Sequence, residues 1–278
     1  MALPEKSLIP HPEVQKLADD VALLREELTS LLTEADHLVQ TVKPNLLALY
    51  QTKIGAWELR LLQAQCENAR LKRKTELAQA SLNQGRLPDW TAIEGQLELE
   101  FLQWQVKINE AAQRIKTAEN RLKNLLAPAD SHALKKLYYA LVKKLHPDLN
   151  PALTDDQRRL WLRVQEAYEA GDLDELRALA LLAEKYPDSQ PLAPMETLQQ
   201  QRKTLEKQIA TMLERIEHIE SQPPFTLEAQ LEDDAWVDAR RAEIDAQIKE
   251  LQTAGKALAA HLETLMKRTD HGKTFGNN

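Results

Sequence analysis

The feature that most constrains this chain is an apolar rhythm of alternating three- and four-residue steps, recurring along most of its length. Val14, Leu17, Val21, Leu24, Leu28, Leu31, Ala35, Leu38 and Val42 carry it first. Tyr50, Ile54, Trp57, Leu61 and Ala64 take it up again, followed by Leu97, Phe101, Trp104, Ile108, Ala111, Ile115, Ala118, Leu122 and Leu125. It returns at Leu198, Leu205, Ile209, Met212, Ile216 and Ile219, and finally at Ile244, Ile248, Leu251, Leu258, Leu262 and Leu265. A stripe with that spacing is buried when helices pack along one another. Only 7 glycines occur among 278 residues, too few for the closely spaced turns of sandwiches, barrels and doubly wound sheets. The expected fold class is all-α.

Charge and composition narrow the function classes. A net charge of −7 provides no general basic field for nucleic acid. No run approaches the roughly 18 apolar residues of a transmembrane helix. The opening MALPEKSLIPHPE lacks both the basic and the apolar region of a secretory signal, and Cys66 stands alone, so a cytoplasmic protein without a disulfide framework is expected. The histidines other than His146 (His11, His37, His132, His218, His261 and His271) are scattered without metal-ligand spacing, so neither metal nor cofactor is expected.

Breaks in the rhythm divide the chain. Pro44 is expected to end or kink the first helix, and a second should run from about Leu46 to Leu82. In NQGRLPDW, Gly85 suits a helix C-terminus and Asp89 can cap the third helix, which should continue unbroken to about 126. The short turn should fold helices two and three into an antiparallel hairpin, with Trp57 and Trp104 in its seam. The carboxy-terminal third should repeat that plan. A Pro-rich linker over 188–195 precedes a hairpin over 196–268, loosened by Arg241 and Gly255 on its seam, and a frayed tail over 269–278. Two long helical hairpins, the first within 1–126, thus flank a distinct segment at 127–187. Heptads do not choose between closure within one chain and pairing between copies, so a homo-oligomer is also compatible.

The central segment reads differently. Asp130 or Ser131 can cap a helix with Leu134, Leu137, Tyr138, Leu141 and Leu145 on one face, and Lys135, Lys136, Lys143 and Lys144 on the other. No acid interrupts Ala133 to Leu145, so this helix is cationic on an anionic chain and suits an acidic partner surface. Pro147 stops the helix and drives His146 out of the α region, so His146-Pro147-Asp148 should form an exposed, fixed turn. Thr154 or Asp155 should cap the next helix, which buries Leu160, Trp161, Val164 and Tyr168 and ends at Gly171. Asp172 should start a short last helix with Leu173, Leu176, Leu179 and Leu182.

Residues 125–185 resemble a J-domain, the signature module of DnaJ-type co-chaperones. Leu134, Tyr138, Leu141 and the His146-Pro147-Asp148 triad fall in the register of that family's second helix and loop, and Trp161-Leu162-Arg163-Val164-Gln165-Glu166-Ala167-Tyr168 resembles its third helix. The resemblance implies a protein that is not an enzyme. Its loop and basic helix dock on a DnaK-type chaperone ATPase and stimulate ATP hydrolysis, while the flanking helical regions hold a client or partner. Carried over, His146, Pro147 and Asp148 are the switch, and Lys135, Lys136, Lys143 and Lys144 the docking contacts. Leu134, Tyr138, Leu141, Trp161, Val164 and Tyr168 are the core.

The chain also departs from the family. Tyr139 and Ala140 stand where the family usually has basic residues, and the usual tyrosine-containing first helix is missing. Leu122, Leu125 and Leu126, at the end of the third heptad helix, are expected to serve in its place. Neither a Gly/Phe-rich linker nor a cysteine-rich module follows. A specialised co-chaperone is the first expectation, and a scaffold with a J-like bundle uncoupled from the ATPase is the alternative. An enzyme using His146 and Asp148 lacks a converging nucleophile, second carboxylate or phosphate loop.

Overall fold

The computed structural model describes residues 11–186 and 193–274. They are helical almost throughout, without a strand among them, as the heptads and the shortage of glycine require. Helix α1 spans Pro12–His37 and passes through a π-helical turn, Leu38–Val42, into α2, Lys43–Tyr50. A second π-helical turn, Gln51–Gly55, leads into α3, Ala56–Asn83. Then come α4 (Trp90–Glu100), α5 (Leu102–Lys123), α6 (Pro128–Leu145), α7 (Asp155–Ala170), α8 (Leu173–Ala183) and α9 (Met195–Glu220). A short 3₁₀ turn, α10 (Glu228–Glu232) and α11 (Asp234–Thr274) complete the chain.

Pro44 therefore does not end a helix. It follows the first π turn, whose wider hydrogen-bonded ring accommodates a residue that cannot donate an N–H. Each such turn adds a residue to the helical ladder and rotates the apolar stripe by about 100°. The third heptad helix is also interrupted, at Phe101 (φ −100°, ψ 5°), which separates α4 from α5. Other local expectations hold. Gly85 ends α3 with a positive φ of 71°, its N–H bonded to Leu82 O and that of Arg86 to Ser81 O. The Asp89 side chain accepts from Thr91 N at 3.1 Å and Ala92 N at 3.0 Å.

The chain divides into two compact units. The first takes the described residues up to Pro44 together with those of Leu125–Thr226. Its core is continuous: Val21, Leu28, Leu32 and Ala35 of α1 join the buried residues of α6, α7 and α8, and Leu198, Leu205, Ile209 and Met212 of α9. Helix α9 lies along α1, with Arg202 reaching Asp20 at 3.8 Å. The second unit takes Asn45–Asn124 and the described residues from Leu227 onward. Here α3 packs against α4 and α5 and lies along α11. Ile54, Ala64, Val237, Ile244 and Ile248 form one cluster, and Ala78, Ile93, Leu97 and Leu265 another.

The packing of α3 on α4 and α5 matches the first expected hairpin, and the partnerships of α9 and α11 correct the second. The helices of 196–268 do not form a hairpin of their own, because α9 takes α1 as its companion and α11 takes α3. Trp57 accordingly packs with the α11 cluster, not in a paired seam with Trp104. The seam positions Arg241 and Gly255 are used rather than loose. Arg241 stacks over Trp57 at 4.4 Å and donates from Nε to Lys53 O at 2.8 Å, an acceptor within the second π turn. Gly255 faces Asn68, whose Nδ2 donates to Leu251 O at 2.6 Å. Most of the 188–195 linker and residues 275–278 lie outside the described residues. Residues 269–274 of the expected frayed tail belong to α11.

A Cβ at Gly255 would meet Asn68 at 3.4 Å, an ordinary contact in a helix interior where glycine is unfavourable. Gly255→Ala is expected to add up to about 1 kcal/mol of stability and so to raise the thermal unfolding midpoint. Gly255→Leu, which must displace Asn68 from Leu251 O, should lower it. Calorimetry of the two variants checks both signs.

Candidate partner-docking loop

The candidate site is the bend between α6 and α7. Helix α6 begins with Pro128 at its first position and Ala127 as N-cap without a side-chain bond, so neither Asp130 nor Ser131 caps it. Asp130 instead stands in the first turn and Lys143 and Lys144 in the last, both favourable to the helix dipole. Helix α7 starts at the expected cap. Thr154 Oγ1 accepts from Gln157 N at 3.3 Å while Gln157 Oε1 accepts from Thr154 N at 2.9 Å, a reciprocal capping box. It ends at Gly171, in the left-handed region at φ 69°, and Asp172 caps α8 by accepting from Glu175 N at 2.9 Å.

All six expected core residues converge. Leu134, Tyr138, Leu141, Trp161, Val164 and Tyr168 are buried in one cluster. The Tyr138 ring stacks on Tyr168 at 3.8 Å and lies 5.8 Å from Trp161. Such aromatic packing sets the spacing of α6 and α7. Both tyrosine hydroxyls find partners in the last turn of α1: Tyr138 donates to Asp36 Oδ2 at 2.7 Å, and Tyr168 lies 3.1 Å from His37 Nδ1. Burial and the Asp36 carboxylate push the Tyr138 phenol far up, and burial pushes Tyr168 up to about 12.

The bend has the expected backbone. His146 is extended (φ −70°, ψ 130°), and its carbonyl accepts from Leu149 N at 3.1 Å and Asn150 N at 2.9 Å. Pro147 and Asp148 are exposed. The imidazole, expected at the surface beside them, is instead half-buried, edge-on to Trp161 at 5.2 Å. Its Nδ1 accepts from Asp148 N at 3.1 Å, which requires that nitrogen to be unprotonated and assigns the neutral ring's proton to Nε2. The ring therefore acts as a brace, and Pro147 and Asp148 form the displayed apex.

The lysine face is partly engaged within the chain. Lys135 Nζ contacts Glu34 Oε2 at 2.7 Å, and Lys143 is bonded to Glu26, which also accepts from Tyr139 Oη at 2.6 Å. These bonds hold the Glu26 carboxyl below its usual range, while burial and Glu26 push Tyr139 up to about 12. Lys136 is exposed and borders a shallow cleft with Ser30, Thr33 and His132. Lys144 is half-buried.

The helix lying beside α6 is thus α1, and not the end of the third heptad helix. Helix α5 stops at Lys123 in the second unit, and Leu125 and Leu126 are 50% and 39% exposed. Sequence reasoning also missed Arg25, Glu26, Glu34 and Asp36. Their only visible signal is a set of polar residues edging the α1 seam, which any solvated helix also shows. Among the described residues no group of three His, Cys, Asp or Glu is placed to hold a metal, and no helix is long and apolar enough to cross a membrane. No protein-family model, curated protein or solved structure matches the chain.

Two histidines bear on stability. Burial lowers the His146 pKa, opposed by Asp148 and Asp36 and assisted by Arg215. Burial and Lys135 lower that of His37, opposed by Glu34. Both rings are neutral when folded, whereas the unfolded imidazole takes up a proton near 6.5. Their contribution is full above that value and is lost as pH falls through the depressed folded values. The unfolding midpoint is expected to drop by a few degrees between about pH 7.5 and about pH 5.5, with a shallower drop in His146→Gln. A calorimetric pH series on both proteins measures this.

Proposed function

We propose that the chain is a specialised J-domain-type co-chaperone that recruits and stimulates a DnaK-type ATPase, with its remaining helices engaging a client or partner. The observation that carries this reading is the exposed Pro147–Asp148 apex, seated on a bend braced by His146 against Trp161 and flanked by a lysine-bearing α6. A fixed bend carrying a carboxylate beside cations offers a partner both shape and charge, and preorganisation reduces the entropy lost on docking. The tyrosine–tyrosine–tryptophan packing beneath it supports the resemblance of α6 and α7 to the family's second and third helices. The chain would do no chemistry of its own; the ATPase would supply it.

A specific observation favours the second reading, a scaffold uncoupled from the ATPase. Lys135 and Lys143 already have carboxylate partners on α1, and Tyr139 is bonded to one of them. A partner would have to displace those carboxylates or dock beside them.

Single-turnover ATP hydrolysis by a DnaK-type ATPase separates the two. Wild-type protein is expected to accelerate the turnover. His146→Gln, and Asp148→Asn at the exposed apex where core packing is untouched, should lose most of that acceleration. Equal rates with and without wild-type protein would leave the scaffold as the surviving reading.

A further inference from the structure

We propose that Arg25 of α1 is a positioning residue for the α6–α7 bend, so that the docking apex is held in shape by a helix 124 positions away in sequence. The proposal rests on the reading of that bend as a chaperone-docking site. Arg25 Nη2 donates to Leu149 O at 2.6 Å and to Asn150 Oδ1 at 3.3 Å. Asn150 passes the hold onward: its Nδ2 donates to Lys143 O at 3.0 Å, a carbonyl whose helical donor would be the N–H that Pro147 lacks, and lies 3.4 Å from His146 O. Leu149 is buried in the core directly after the apex, so the chain is pinned by its side chain on one side and by its carbonyl on the other.

The guanidinium suits this task. The Arg25 side chain is half-buried, and that burial lowers its pKa, so these oxygens replace part of its water. Its donors can address a main-chain carbonyl and a side-chain amide oxygen together, whereas an ammonium is a point charge on a flexible stem. The next residue, Glu26, ties α1 to Tyr139 and Lys143 of α6 and so sets where along α6 Arg25 stands. Arg25 bonds to Leu149 and Asn150, the two residues that follow the Pro147–Asp148 apex. It would act through the loop, and a partner would not need to touch it.

The test uses the full chain with Arg25→Met and Arg25→Lys, and two readouts. The first is amide hydrogen exchange at Leu149 and Asn150. The second is the dependence of DnaK-type ATPase stimulation on protein concentration. Arg25→Met is expected to speed exchange at those two amides roughly fivefold to tenfold, the change that one or two lost hydrogen bonds produce, with the α7 and α8 amides unchanged. It should lower stimulation of the ATPase, by less than the change in exchange because the closed bend still predominates, and Arg25→Lys should fall between. Unchanged exchange at Leu149 and Asn150 would overturn the proposal, as would a loss of stimulation matched by uniformly faster exchange across the unit. Failure of wild-type protein to stimulate would instead overturn the co-chaperone reading, and the exchange at Leu149 and Asn150 would still decide whether Arg25 holds the bend.

Discussion

The first unit depends on α1 offering two edges at once. Its apolar seam, through Val21, Leu28, Leu32 and Ala35, enters the same core as α6, α7, α8 and α9. Its polar edge, through Arg25, Glu26, Glu34 and Asp36, bonds to the α6–α7 bend, the α6 lysines and the buried tyrosine. Between the edges, Thr29 and Thr33 are fully buried and return their hydroxyls to the carbonyls of Arg25 and Thr29 at 2.7 and 2.8 Å. Each hydroxyl is thereby satisfied inside its own helix, and α1 can approach its neighbours there without stranding a polar group.

This arrangement makes the bend a product of long-range packing. A helix–loop–helix carrying only α6, its bend and α7 would keep the stop imposed by Pro147 and the cap supplied by Thr154, because both are local. It would lack the partners of the Tyr138 hydroxyl and the Leu149 carbonyl, which lie on α1. A buried phenol without an acceptor is costly, so the aromatic stack and the polar edge of α1 belong to one cooperative structure.

What could be read from the sequence follows the same division. Gly85, Asp89, Thr154, Gly171 and Asp172 end or begin helices where expected, because each acts through a dihedral or a bond spanning three or four residues. The core of α6 and α7 was also legible, since its period marks one face of each helix. Helix partnership was legible only across the short turn that folds α4 and α5 back on α3, and the partners of α9 and α11 were not. The α9 and α11 seams state that something apolar must cover them, and α1 and α3 satisfy that demand as well as an adjacent helix would. Of the two effects expected of Pro44, an end does not occur, because a π turn precedes the ring, and nothing in Leu38–Val42 distinguishes a π turn from an α turn. The exposed imidazole misled for another reason: proline dictates where the backbone turns, while Trp161 decides where the ring rests.

The internal ion pairs determine how docking on this face would differ from docking on a bare lysine ridge. Lys135 with Glu34 and Lys143 with Glu26 are roughly half exposed, where such pairs are worth about 0–1 kcal/mol. A partner carboxylate could therefore take either lysine at little direct cost, but it would leave Glu26 or Glu34 facing its own acidic surface, and that repulsion would offset part of the gain. The apex does not incur this penalty, since Pro147 and Asp148 are exposed and neither Glu26 nor Glu34 is bonded to them. Selectivity on this face would thus come from the shape of the bend more than from the sum of its charges. A partner reaching Lys136 and the apex together, without crowding Glu26 and Glu34, would gain the most.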